Sequence, residues 1–60
     1  MYRVKAKQIG SKIRNLRKKY KLSQNGLARK MNLSRSALSQ IENGKRKVTA
    51  AELAKFAQFF

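Results

Sequence analysis

Three times along this chain an apolar residue precedes a hydroxyl-bearing one, and a second apolar residue stands five positions after the first. The units are Leu22-Ser23 with Leu27, Leu33-Ser34 with Leu38, and Val48-Thr49 with Leu53. A serine or threonine hydroxyl so placed accepts from a backbone N–H of the first helical turn. The flanking apolar pair has the spacing that clasps that turn from outside. Each unit therefore marks a helix start, and three of them point to an all-α chain. No proline, no β-type alternation, no internal repeat and no low-complexity linker argues otherwise.

The apolar period places four helices between these marks. Ile9, Ile13, Leu16 and Tyr20 share one face, which predicts helix 1 over residues 7–20, with Lys12, Arg14, Lys18 and Lys19 pointing elsewhere. Lys18, Lys19 and Lys21 crowd its C-terminal end, where cations suit the helix dipole. Helix 2 follows the Ser23 cap and turns Leu27, Ala28 and Met31 inward. Gly26 is its weak point, because it costs about 1 kcal/mol against alanine and occupies N3, where a glutamate would complete a capping box. Only Met31, Asn32 and Leu33 separate helix 2 from the next cap, so Asn32 is expected to take the left-handed conformation. Helix 3 runs from the Ser34 cap to Gly44 as its C′ residue. Helix 4 opens on Thr49 with Glu52 at N3, a full capping box, and carries the stripe Leu53, Phe56, Ala57 and Phe60. These stripes are expected to form the core of a compact four-helix domain over residues 9–60, with residues 1–8 as a basic N-terminal arm.

Composition limits the chemistry. The 60 residues contain no cysteine and no histidine, so disulfides and thiolate or imidazole metal sites are out. Two carboxylates, Glu42 and Glu52, are too few for a hard-cation site. Neither an enzyme nor a cofactor is expected. Sixteen Lys+Arg give a formal charge of +14, far beyond the magnitude of about 2–8 that solubility needs. That field attracts polyanions, nucleic acid first and anionic membrane second. No apolar run approaches the ~20 residues of a membrane span, and the opening MYRVKAKQ lacks an apolar signal core. A cytoplasmic location is expected.

On a helical wheel of about 100° per residue, helix 3 gathers Ala37, Leu38 and Ile41 on one side and Arg35, Ser36, Ser39, Gln40 and Asn43 on the other. The outer side is short, polar and nearly uncharged in a chain otherwise rich in lysine. Two helices joined by a tight turn, the second with such a face, have the form of a helix-turn-helix. Arginine can fork onto guanine, glutamine onto adenine, and serine can pair with several base edges. Surrounding cations would hold phosphates and set register.

The stretch LSQNGLARKMNLSRSALSQIENGKRKVTAAELAKFA resembles the phage repressor and Cro-type helix-turn-helix regulators, a lambda-repressor-like fold. The resemblance spans about Ile9 to Phe60. It implies base contacts from Arg35, Ser36, Ser39 and Gln40. It implies backbone contacts from Gln24, Ser34, Asn43, Lys45, Arg46 and Lys47, with Gln24 also buttressing the recognition helix. The partner it implies is double-stranded DNA, usually a palindromic operator bound by a homodimer, for a repressor located at the nucleoid. Asn32 stands where the family usually has glycine, and Gly26 where it usually has glutamate. Such domains normally carry a fifth helix that has no counterpart here, and the terminal Phe59 and Phe60 fit a chain cut before its next helix. Two other functions stay open: a DNA-targeting module of a larger protein or antitoxin, and a non-specific RNA- or membrane-binding basic domain, motivated by the cationic run from Arg14 to Lys21.

Glu42 is out of place in a field that disfavours it. It falls in the last turn of helix 3, where the dipole opposes an anion, on a helix expected to approach phosphates. An internal cation would resolve this. Arg17 lies about 70° from the centre of helix 1's apolar stripe, and the family pattern pairs an arginine there with this glutamate. A forked bridge between helices 1 and 3 is the expectation, a local bond from Lys45 or Arg46 the alternative.

Overall fold

The computed structural model describes residues 6–60. Four helices follow in order: α1 Ala6–Lys19, α2 Gln24–Lys30, α3 Arg35–Glu42 and α4 Ala50–Phe59. Helix α1 begins at Ala6, so the last three residues of the expected arm, Ala6, Lys7 and Gln8, are helical. The remainder of the expected arm, residues 1–5, lies outside the described residues.

All three expected caps form. The Ser23 hydroxyl accepts from Gly26 N at 2.9 Å, Ser34 from Ala37 N at 3.0 Å, and Thr49 from Glu52 N at 3.1 Å. Glu52 reaches back to Thr49 N at 3.0 Å and completes the capping box. The first three helices also end alike. Lys21, Asn32 and Gly44 sit at φ 57°, 58° and 74°. At each, the next residue's N–H reaches back five positions: Leu22 to Arg17, Leu33 to Ala28, and Lys45 to Gln40. This is the Schellman closure, which satisfies carbonyls that the last turn leaves open. Asn32 and Gly44 are suited to it. Lys21 is not announced by its residue type, and it holds because the closure around it is complete.

The α1–α2 and α2–α3 turns are therefore copies of one unit, Lys21-Leu22-Ser23 and Asn32-Leu33-Ser34. In each, a single leucine follows the left-handed residue, precedes the next cap and packs part-buried against the core. Helices of 7 and 8 residues are too short to persist alone in water. They hold because α1 and α2 both pack on α3. The core is Ile13, Leu27, Ala28, Met31, Leu38, Ile41 and Phe56.

Helix α4 departs from the expected pattern. Phe56 is buried, but Leu53 is 46% exposed and Ala57 is exposed. At about 100° per residue, Phe60, Leu53 and Ala57 lie about 40°, 60° and 100° from Phe56, all to one side. The helix is turned so that Phe56 enters the core and Phe60 packs part-buried against it, while Leu53 and Ala57 open away. Leu53, Phe56 and Phe60 thereby form one wall of an apolar groove whose other wall is Ile9, Ile13 and Leu16 of α1. Tyr20, expected inside, is 52% exposed and stacks on Phe60 at 5.5 Å.

At Gly10 the backbones of α1 and α3 come close together. A Cβ there would run into Ile41 O and stand 2.9 Å from Glu42 O, both backbone atoms that cannot yield. Gly26, by contrast, would meet only the Ser23 hydroxyl at 3.1 Å, and the Thr49–Glu52 box shows that such a cap accepts a side chain at N3. The same substitution should therefore have opposite signs. Gly10→Ala meets unyielding backbone, so its cost should lie at the upper end of the roughly 1–3 kcal/mol that overpacking brings and outweigh a helix-propensity gain of about 1 kcal/mol. Gly26→Ala should stabilise by about 0.5–1 kcal/mol. Urea midpoints of the two variants check this, and a Gly10→Ala chain as stable as the parent would contradict the close approach.

Candidate nucleic-acid interface

The outward face of α3 is built by what its inward face must bury. Leu38, Ile41 and Glu42 are sunk into the protein, which turns Arg35, Ser36, Gln40 and Asn43 outward, all exposed. Ser39 lies at the margin of this face and is half-buried. Ser34 is exposed at the helix start. Its oxygen is engaged by Ala37 N, and its own hydroxyl proton remains to donate. Gly44 then ends the helix, so that Lys45 and Lys47 emerge exposed directly beyond it.

Behind this face sits a polar network centred on Glu42, which is only 2% exposed. Arg17 forks onto it, Nε to Oε2 at 2.7 Å and Nη2 to Oε1 at 3.1 Å. The third arm of the same guanidinium, Nη1, donates to Leu22 O at 2.9 Å. Gln24 Nε2 donates to Glu42 Oε1 at 3.0 Å. The carboxylate thus joins α1, α2 and α3, and Arg17 also pins the α1–α2 turn. No buried side-chain nitrogen or oxygen among the described residues lacks a partner. Burial of a carboxylate is tolerable on those terms. Gln24 is held by its buttressing bond, with its second N–H and its carbonyl oxygen left over.

Two contacts had no counterpart in the sequence reasoning. Arg14 Nη2 donates to Asn43 Oδ1 at 2.6 Å, and its Nε lies 3.8 Å from Glu42 Oε1. The available signal was spacing: Gly10, Arg14 and Arg17 stand at i, i+4 and i+7 on one face of α1. The second is Arg46, expected on the DNA backbone. It forks onto Glu52, Nη1 to Oε1 at 3.2 Å and Nη2 to Oε2 at 2.8 Å. Glu52 therefore combines a cap with an ion pair, and ties the loop after α3 to the start of α4. The Arg46 hydrogen bonds, then that of the Thr49 backbone, hold the Glu52 carboxyl below its usual value of 4.5.

Both side-chain carboxylates are thus paired with arginine, and the field around the α3 face is set by cations. Among the described residues no group of three or more potential metal ligands occurs, and no helix is long and apolar enough to cross a membrane.

A family model described as helix-turn-helix matches residues 13–60, which takes in α2, α3, α4 and the second half of α1. The chain belongs to the phage repressor/Cro-type helix-turn-helix family. This is a DNA-binding family, and in this helix-turn-helix domain the motif is α2, the Met31–Ser34 turn and α3. Comparison with curated proteins finds no match.

The network makes a strong claim on stability. Glu42→Ala would leave Arg17 without its charge partner, at a cost of about 3–5 kcal/mol. A domain of this size has about 3–9 kcal/mol in total, at about 0.05–0.15 kcal/mol per residue. Circular dichroism should show Glu42→Ala melting well below the parent, and unfolded already at room temperature if the parent lies at the low end of that range; a cooperative melt near the parent's would refute the claim. Glu52 yields a pH prediction. Its carboxyl is lowered by folding, so the unfolded chain takes up its proton first. The Arg46–Glu52 contribution is present above about 4.5 and is lost as pH falls through the folded value. Between about pH 7 and about pH 3, the melting midpoint should drop further for the parent than for Glu52→Gln. Equal drops would mean the pair adds nothing.

Proposed function

We propose that this domain binds double-stranded DNA sequence-specifically, as a transcriptional repressor acting at the nucleoid, with α3 lying in the major groove. The observation that carries this is the outward face of α3. Its short polar side chains leave the backbone free to approach base edges, in a domain whose exposed charge is otherwise cationic. Arg35 forks onto guanine, Gln40 pairs with adenine, and Ser36 and Ser39 read smaller features at the groove floor. Gln24, Ser34, Asn43, Lys45 and Lys47 hold phosphates and set the register. Arg46 belongs to the same set. Its Nη atoms are occupied by Glu52, so its part is to hold the loop in place and add charge.

Two copies bind a two-fold operator in this reading, with half-sites about one helical turn apart. Selection of bound duplexes from a random pool tests specificity, half-site symmetry and spacing together. A pool that emerges without a preferred sequence would overturn the reading in favour of non-specific polyanion binding. With a selected duplex in hand, Arg35→Ala should relax discrimination at one base pair by about 1–3 kcal/mol. Lys47→Ala should weaken all duplexes alike and lower the salt slope by about 1.

A further inference from the structure

Asn43 closes α3 at the edge of its outward face, where it is exposed. A carboxamide has two unlike ends: Nδ2 donates twice and Oδ1 only accepts. Toward a phosphate only the Nδ2 end is attractive, and the Oδ1 end presents partial negative charge to an anion. The terminal torsion of asparagine is broad, so an untethered exposed amide offers either end.

Here the amide is tethered. Arg14 Nη2 donates to Asn43 Oδ1 at 2.6 Å. A guanidinium has donors and no acceptor, so the atom facing it must be the oxygen. With the oxygen engaged, Nδ2 is the end of the amide left to donate to a ligand. Arg14 is itself steadied, with its Nε 3.8 Å from the fully buried Glu42 carboxylate, while its side chain keeps 39% exposure. The orientation of one exposed amide is thereby linked to the buried network that joins the helices.

We propose that Arg14 is a positioning residue for DNA binding: by occupying Asn43 Oδ1, it keeps Nδ2 presented to a backbone phosphate. The inference rests on the DNA-binding reading above and on Asn43 as a phosphate contact within it. The rival role, Arg14 pairing with a phosphate directly, is separable by its salt signature. A cation that neutralises a phosphate releases counterions and contributes about 0.9 to the slope of log affinity against log salt. A neutral amide donor contributes none.

The test is a double-mutant cycle on the duplex recovered by selection, titrated over a series of salt concentrations, with thermal melts to verify folding. Arg14→Met should weaken binding about five- to tenfold, the scale of one hydrogen bond, with the salt slope unchanged. Asn43→Ala should weaken it similarly, and the double variant should bind no worse than Asn43→Ala alone. If Arg14→Met still weakens binding in the Asn43→Ala background and flattens the slope by about 0.9, Arg14 is a direct phosphate ligand and the inference falls. Asn43→Asp serves if Arg14→Met folds poorly. It keeps a partner for Arg14 but presents oxygen outward, so binding should fall at least as far as for Asn43→Ala, and parental affinity would overturn the inference. A selection that yields no preferred duplex removes both readings, whereas a preferred duplex bound equally by the parent and the Arg14 and Asn43 variants removes this one alone.

Discussion

The architecture turns on one guanidinium and one carboxylate. Arg17 holds Glu42 with two arms and the α1–α2 turn with the third, so a single side chain sets the spacing of three helices. The pair is conspicuous because so little else is available. Among the described residues seven make up the buried apolar core, and helices of 7 and 8 residues contribute almost no independent stability. The position of α3 is fixed from two helices: α1, through Arg17, Arg14 and the close backbone contact at Gly10, and α2, through Gln24.

That rigidity serves a surface that cannot supply its own. A face made of serine, glutamine and one arginine reaches a short distance, and is useful only if the helix beneath it is held at a defined angle. Apolar packing alone permits small rotations of a helix, whereas a forked hydrogen-bonded pair has a narrow geometry. The second acid works likewise at the other end of α3. Glu52 caps α4 and grips Arg46, so the loop carrying Lys45 and Lys47 is anchored on both sides. In a chain of charge +14 with two carboxylates, both side-chain carboxylates serve to place the elements around α3.

Much of this was legible in the residues. The caps at Ser23, Ser34 and Thr49, the left-handed Asn32 and Gly44, and the split of α3 into inner and outer faces follow from local chemistry over a few positions. The Arg17–Glu42 pairing was reached from the misfit of an acid in a cationic field together with a family resemblance. What escaped was contact between elements distant in sequence. Gly10 is unremarkable in α1 until α3 is laid against it. Arg14 looked like one more solvated cation until Asn43 came within 2.6 Å. The family resemblance puts Arg46 on phosphate, and its bond to Glu52 has no local sign in the sequence, because Glu52 already has a sufficient role in its cap.

The sequence by itself determined where helices start and stop, because caps, staples and left-handed residues act within a single turn of backbone. It also determined which side of α3 faces outward, since apolar periodicity leaves that helix one side to bury. Only the tertiary structure decided how far α4 rotates about Phe56, leaving Leu53 at a groove wall, and which arginine serves which acceptor. Those choices depend on relative helix positions, and 16 Lys and Arg side chains offer more cations than two carboxylates can distinguish by sequence spacing alone.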